Sequence, residues 1–215
     1  EDAIDVVRNG VAVPVPDERV AAFRAQTAAA DQVLVGTLAT LIPQKGLADL
    51  LRVARQVRDR RSDVHFVVVG EGVLRPELER LRAELGLESA VTFAGWIADA
   101  ARGALPAFDV YLQPSLWEAM SISILEAMGA AKPVVTTKVG EASHIIEPGV
   151  SGYLFAPGDV AGMASAVLDL AAHPDTRRRV GAAAERTVAD HHTVRHMVRA
   201  YETIYDELGR RSARQ

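Results

Sequence analysis

The sequence has no cysteine among its 215 residues. Disulfide bridges, cysteine metal ligands and thiol nucleophiles are therefore excluded, and the composition fits a reducing compartment. No apolar run reaches the roughly 18 residues that indicate a membrane span. An excess of basic charge is missing as well, because 24 basic and 28 acidic residues give a net charge of -4. A general nucleic-acid surface is disfavoured, and we expect a cytoplasmic protein without a nucleic-acid partner.

Several catalytic motifs are also missing. The chain contains no Walker A loop, no GxGxxG after its first predicted strand and no GxSxG elbow, which argues against a P-loop nucleotidase, a dinucleotide-dependent dehydrogenase and a serine hydrolase. Its six histidines form no HExxH or other dense ligand pattern. We therefore predict no metal site. The chain opens with Glu1 rather than Met, and we expect it to be a piece of a longer protein.

The pattern that is present alternates short apolar runs with amphipathic segments. It predicts strands at 33–38, 65–69, 91–94, 108–113, 133–137 and 152–155, and helices at 47–60, 75–85 and near 99–105. Further helices are predicted after 118, near 141 and from 158 onward, with breaks near 173–174 and 190–193. Buried strands that alternate with helices indicate an α/β fold. We predict one doubly wound, Rossmann-like parallel sheet of about six strands at 32–215, preceded by a lead-in at 1–31 that ends an interdomain connection and holds a short helix.

The most informative segment reads PSLWEAMSISILEAMG, from Pro114 to Gly129. Its two glutamates, Glu118 and Glu126, lie eight positions apart, the first at a loop-to-helix junction and the second within the helix. A carboxylate accepts hydrogen bonds from adjacent hydroxyls, so Glu126 could bind a ribose diol and Glu118 a sugar ring. The structural alternative makes Glu118 a partner of the helix dipole and Glu126 a solvated residue. The apolar neighbours of Glu126 argue against that alternative, because a buried carboxylate needs a partner.

Two other loops follow predicted strands. The loop after the first strand ends in Lys45-Gly46 before a helix, and there a lysine with free backbone amides could neutralise a diphosphate. Gly70 and Gly72 end the second strand and would allow close approach of a ligand. Each loop also has an explanation without a ligand. Lys45 could be an ordinary surface residue, and the glycines could form a common tight turn.

Taken together, these motifs resemble the retaining glycosyltransferases of the GT-B fold, in the large group called family 4 or group 1. The resemblance is carried, in order along the chain, by NGV at 9–11, VGTLATLIPQKG at 35–46, VVVGEGVLRPELE at 67–79, VTFAGW at 91–96 and the E-x7-E segment that begins at Pro114. It covers nearly the whole chain but only the C-terminal, donor-binding half of such enzymes. It implies transfer of a hexose from a nucleoside diphosphate sugar to an acceptor hydroxyl.

The resemblance also implies a role for each matching position. Lys45 would stabilise the departing diphosphate, and Glu118 would contact the transferred sugar. Glu126 would bind the ribose hydroxyls. The backbone amides of Met120, Ser121 and Ile122 would hold the sugar and the phosphates. Gly95, Trp96 and Ile97 would flank the nucleobase. No cofactor and no metal is expected beyond the nucleotide-sugar itself, because basic residues and helix dipoles support the leaving group.

One position departs from the family pattern. Family members have an arginine a few residues before the lysine, and here Thr40 occupies that place. Threonine donates one hydrogen bond and brings no charge, so either Lys138 or another basic residue compensates, or transfer is slow, or the donor differs. Ser121 is a smaller departure, since glycine or proline is common there.

The expected partner is an N-terminal acceptor-binding domain of the same protein. We expect this chain alone to bind donor without efficient transfer, and any contact with the inner membrane face to run through that other domain. Two other functions stay open at this point. A non-catalytic nucleotide-sugar binding module would be compatible with Thr40, and a related epimerase would interconvert two donors without an acceptor.

Overall fold

The structure is a computed structural model, and it describes residues 4–212. Six strands form one fully parallel sheet with the order β3-β2-β1-β4-β5-β6. The predicted α/β class and strand number are confirmed. The strands are β1 (Val33–Leu38), β2 (Val64–Val69), β3 (Val91–Gly95), β4 (Val110–Gln113), β5 (Val134–Thr137) and β6 (Tyr153–Phe155).

Helices cover both faces of this sheet. They are α1 (Arg19–Thr27), α2 (Leu47–Arg58), α3 (Arg75–Glu84), α4 (Ala100–Gly103), α5 (Ile122–Gly129), α6 (Ala142–Ile145), α7 (Val160–Ala172), α8 (Pro174–His191) and α9 (Val194–Ser212). Local chemistry sets several of these starts. Ser121 caps α5, Asp159 caps α7 by accepting from the amide of Gly162, and Pro174 occupies the first turn of α8, where a missing N–H is no loss.

The sheet separates two apolar layers, as a period-2 pattern requires. Val33 and Val35 of β1 pack with α2 and α7 on one face, whereas Leu34 packs with α5 and α8 on the other. One departure from prediction is the start of β4. A 3₁₀ turn at Leu105–Ala107 delays it to Val110, and the Phe108 ring instead packs over Gly36, where an added Cβ would lie 2.4 Å from it.

The strand order reverses between β1 and β4, whose neighbours along the chain lie on opposite sides. In open parallel sheets, the crevice beyond the carboxyl ends of the strands at such a switch point is where ligands bind. Here that edge brings together the loops that follow Leu38, Val69 and Gln113. The fold therefore predicts a ligand site at this edge of the sheet.

The segment predicted as a lead-in packs on the domain. Phe23 of α1 is buried against Phe108, and Val11 is buried and bridges to Thr193. Residues 1–3 and 213–215 of the predicted units lie outside the described residues. Between residues 4 and 212, none of the helices combines the length and apolar character that a bilayer crossing needs.

Candidate functional site

A cleft of about 410 Å³ opens at the switch point. Four loops supply its walls, namely those after β1, β2 and β3 and the segment between β4 and α5. Most predicted site residues line it. Its lining residues are Leu38, Ala39, Thr40, Lys45, Val69, Gly70, Glu71, Trp96, Ile97, Ala100, Glu118, Met120, Ser121, Ile122 and Ser123.

Lys45 and Glu118 form an ion pair at the base of the cleft. The Lys45 Nζ lies 2.5 Å from Glu118 Oε1, and the two side chains are 20% and 9% exposed. The same carboxylate accepts from Ser115 Oγ at 2.9 Å, from Gln113 Nε2 at 3.3 Å and from Gln44 Nε2 at 3.4 Å. An ammonium has three N–H groups, and Glu118 is the single hydrogen-bond partner of the Lys45 ammonium within residues 4–212. Lys45 therefore keeps donors for a ligand.

The N-terminus of α5 faces the same cleft. Its cap, Ser121, accepts from the amide of Ile124 at 3.4 Å. The backbone amides of Met120, Ser121, Ile122 and Ser123 donate to no acceptor in the described part of the chain. A helix start with free amides carries partial positive charge and attracts anions. Together with Lys45, it makes this end of the cleft suited to phosphate.

The two glycines after β2 differ in position. Gly70 lines the cleft at φ +140°, and an added Cβ would lie 2.0 Å from the carbonyl oxygen of Ala39. Gly72 lies outside the lining, because it packs on the loop after β1, where a Cβ would meet the Leu41 carbonyl oxygen at 2.5 Å. Close packing between two loops, rather than approach of a ligand, explains the second glycine.

The wall after β3 is aromatic and apolar. Trp96 is 73% exposed although it lines the cleft, and Ile97, which also lines it, is partly buried against the apolar layer that contains Phe108. Gly95 lies outside the lining, because its carbonyl oxygen is turned to β2 and accepts from the amide of Gly70 at 2.8 Å. An exposed indole at a cleft rim suits a flat ring, and Thr40, also exposed, faces the cleft from the loop after β1.

Glu126 lies in an adjoining cleft of about 610 Å³ rather than in the first one. The two clefts meet at Ile122, one helical turn before Glu126, so both residues share a face of α5. The Glu126 side chain is half-buried and has no hydrogen-bond partner among residues 4–212. Burial, and then repulsion from Asp99, raises the pKa of this carboxyl above its ordinary value.

The sequence patterns did not predict a role for Gln113 and Ser115, which donate hydrogen bonds to the Glu118 carboxylate. The signal was available, since Gln113 is a polar residue that ends an otherwise apolar strand. Lys138, the predicted compensating cation, is exposed and does not line the cleft. Within the described ranges, no group of three or more His, Cys, Asp or Glu side chains could hold a metal ion, and the metal-free reaction stays a prediction.

The model of the family described as glycosyl transferases group 1 matches residues 31–173. The chain belongs to that family. The match starts just before β1 and ends just after α7, so it contains every loop that lines the cleft.

Known relatives extend the comparison. The lipopolysaccharide core biosynthesis glycosyltransferase LpsD of Rhizobium meliloti (strain 1021) is 30% identical over 204 residues, which are 94% of this chain and 57% of LpsD. The crystal structure of Anabaena HepE in complex with UDP-glucose has a TM-score of 0.84 at 26% identity, covering 95% of this chain and 57% of HepE. The C-terminal domain of LpcC from Francisella tularensis has a TM-score of 0.74 at 24% identity, covering 85% of this chain and 97% of that domain. The group 1 chain spans about half the length of the curated relatives it matches.

Proposed function

We propose that this chain is the donor-binding domain of a retaining glycosyltransferase that moves a hexose from a nucleoside diphosphate sugar to an acceptor hydroxyl. One observation carries the proposal. A lysine with spare donors and a helix start with free amides line one cleft at the switch point of the sheet. A diphosphate is the ligand group that this pairing fits, because it accepts from several donors at once.

The chemistry at the reacting end follows from that placement. As the bond from the sugar to the diphosphate breaks, negative charge grows on the diphosphate. Lys45 and the amides of residues 120–122 stabilise that charge without a bound metal. Glu118, held by Lys45 and Ser115, has a fixed carboxylate that hydrogen-bonds the sugar and opposes positive charge developing on its ring. Thr40 contributes one hydroxyl in place of a second cation.

The nucleoside end occupies the other half of the site. Trp96 stacks on the base, with Ile97 beside it, and the ribose extends past Ile122 so that its hydroxyls bind Glu126 in the second cleft. The unpartnered Glu126 carboxylate supports this assignment. Two hydroxyl donors would satisfy a group that burial and Asp99 currently disfavour in its charged form.

The proposed partner is an acceptor-binding domain in the same protein. Two findings support it: the chain spans about half of its curated relatives, and it covers nearly all of a solved C-terminal domain of the same family description. Helix α9 adds an exposed apolar row that this domain could cover, made of Val194, Val198, Tyr201, Tyr205 and Leu208. Residues 1–215 alone then bind donor and transfer little, and the cytoplasmic location belongs to the same proposal.

A second candidate is a nucleotide-sugar binding module without catalysis. The observation that favours it is Thr40, which leaves Lys45 as the one cationic side chain among the described residues that line the cleft. Tight nucleotide binding by the complete protein, without turnover toward any acceptor, would select this candidate over the transferase.

Isothermal titration with UDP, GDP and ADP, each with and without magnesium, tests the proposal. We expect one nucleotide to bind independently of metal, and Glu126→Ala to weaken it by about 1–3 kcal/mol, the scale of hydrogen bonds to a charged group. Glu185→Ala is the matched control, since Glu185 is an exposed helical glutamate on α8. Absence of binding by all three nucleotides would contradict the proposal, and equal affinity of the Glu126 variant would remove the ribose assignment.

A further inference from the structure

A buried glutamine lies directly beneath the candidate site. Gln113 ends β4 at the switch point and is 1% exposed. A buried amide is stable only when its donors and acceptor are bonded. Gln113 meets that requirement with neighbouring side chains, three of which line the cleft: Glu118, Ser121 and Ser123.

The orientation of this amide is fixed by its neighbours. An ionised carboxylate can accept but cannot donate, so the group that faces Glu118 Oε1 at 3.3 Å must be the Nε2 of Gln113. The opposite atom, Oε1, then accepts from Ser123 Oγ at 2.9 Å and from Tyr111 Oη at 3.0 Å. Burial raises the pKa of Tyr111 to about 12, so this hydroxyl stays protonated and can donate to Gln113 throughout the neutral range.

The amide also reaches Ser121, the cap of α5, at 3.0 Å from Nε2. One side chain therefore contacts both the loop carrying Glu118 and the start of the helix. The start of α5 has a hold of its own, because Ser121 accepts from the amide of Ile124. Gln113 supports the Glu118 carboxylate in two ways from the sheet side: Nε2 faces Glu118 Oε1 at 3.3 Å, and it donates at 3.2 Å to Ser115 Oγ, which itself donates to Glu118 Oε1 at 2.9 Å.

We propose that Gln113 is a positioning residue that orients the Glu118 carboxylate toward the sugar of the donor. This inference rests on the proposed function, since it assigns Gln113 a share in holding the sugar rather than the nucleotide. A merely structural glutamine would affect both parts of the ligand equally. A positioning glutamine should act on the sugar part.

The test compares two ligands on the 215-residue chain by calorimetry: whichever of UDP, GDP and ADP binds, and the corresponding UDP-glucose, GDP-glucose or ADP-glucose. Gln113→Met keeps the shape of the side chain and removes its polar atoms. We expect it to weaken the nucleotide-glucose about tenfold, as for loss of one hydrogen bond to a charged group, and the free nucleotide less than about threefold. In a Glu118→Gln background, Gln113→Met should produce no further selective loss.

Two more variants keep the test decisive. Gln113→Leu also removes both polar atoms, with a shorter side chain and no new charge, so it should show the same selective loss if the methionine variant does not fold. Thr136→Val is the matched control, because it removes a buried hydroxyl that donates to the Gln113 backbone oxygen at 2.7 Å and leaves the side-chain network intact. We expect it to leave both affinities unchanged.

Equal weakening of both ligands by the Gln113 variants, or a loss that adds fully to that of Glu118→Gln, would overturn the inference while leaving the proposed function in place. Failure of the wild-type chain to bind any of the three nucleotides and nucleotide-glucoses would contradict the proposed function, and the inference with it.

Discussion

The two glutamates of the E-x7-E segment have opposite surroundings. Glu118 is almost buried and receives hydrogen bonds from Lys45, Ser115, Gln113 and Gln44. Glu126, eight positions later, is half-buried beside Asp99 and receives none within the described residues. Sequence spacing treats them as a matched pair. The structure places one in a completed network and the other in an incomplete one.

The two environments would act differently on the ligand proposed above. Around Glu118, the protein has already arranged the carboxylate, and a ligand meets a fixed geometry. Around Glu126, burial and then Asp99 raise the pKa of the carboxyl, so hydroxyl donors of the proposed ribose would relieve an unfavourable charged state.

The variant with the greatest predicted loss of stability removes the cation from the hydrogen-bond network of Glu118. Lys45→Met would leave the nearly buried Glu118 without its cation, and we expect the free energy of unfolding to fall by about 2–3 kcal/mol, somewhat below the range for fully buried pairs. Lys138→Met is the matched control, because Lys138 is exposed and outside the cleft; it should change stability by less than about 0.5 kcal/mol. Urea denaturation measures both, and equal losses would show that the ion pair contributes nothing.

A second change sharpens the electrostatics of the phosphate end. Thr40→Arg adds a guanidinium at an exposed position that lines the cleft. We expect nucleoside diphosphate affinity to rise by about 1–2 kcal/mol, through bidentate charge-assisted hydrogen bonds. Thr40→Gln, similar in length but uncharged, is the control. Titration at two salt concentrations reads out the gain, and an arginine variant no tighter than the glutamine variant would exclude a diphosphate beside residue 40.

A third change should have a stability effect of opposite sign at the other glutamate. Because burial raises the pKa of Glu126, the folded chain holds this proton more tightly than the unfolded chain does. Its contribution to the unfolding free energy is fully present below about pH 4.3, where an unfolded glutamate titrates, and is lost as the pH rises through the folded pKa. Glu126→Gln should therefore stabilise the empty chain at pH 7, by less than about 1 kcal/mol given its partial exposure.

Thermal unfolding of wild type and Glu126→Gln between pH 4 and pH 7 tests this sign. The advantage of the variant should shrink as the pH falls, because protonation removes the charge from the wild-type side chain. A variant that is less stable than wild type at pH 7 would mean that Glu126 already has a favourable partner in the empty chain.

The smallest effect locates the nucleoside end by spectroscopy. The chain has two tryptophans. Trp96 lines the cleft, whereas Trp117, next to Glu118 in the sequence, does not. Nucleotide binding should change the fluorescence of Trp117→Phe, which keeps Trp96, and leave that of Trp96→Phe nearly unchanged, since a stacked base quenches an indole only at short range. A fluorescence change in Trp96→Phe but not in Trp117→Phe would contradict the placement of the base beside Trp96.

Sequence patterns predicted most of the fold because the strands are nearly uniform apolar runs between turn residues. The 3₁₀ turn at Leu105–Ala107 escaped prediction, since the apolar Phe108 continues the strand pattern while its side chain serves as packing for Gly36. Bounds of the helices differed by one or two residues, as helix ends depend on caps and packing.

The sequence predicted most residues of the candidate site but not the contacts between them. Residue identities indicated Lys45 and Glu118 separately, yet their ion pair depends on a contact across 73 positions of the chain. The same limit applies to Gln113, whose burial and partners are set by the strand order. The placement of Glu126 in a second cleft follows from the face of α5 that turns to Asp99, and spacing alone does not determine that face.

Gly46 joins the two loops that carry the ion pair. It lies at φ +61°, an added Cβ would be 2.0 Å from the carbonyl oxygen of Pro114, and the amide of Leu116 donates to the oxygen of Gln44 at 2.8 Å. The two loops consequently act as a single mechanical piece, although some 70 residues separate them in the sequence. A library of variants of this chain should therefore randomise residues 44–46 and 114–118 together, since a substitution in either loop alone must still fit the unchanged shape of the other.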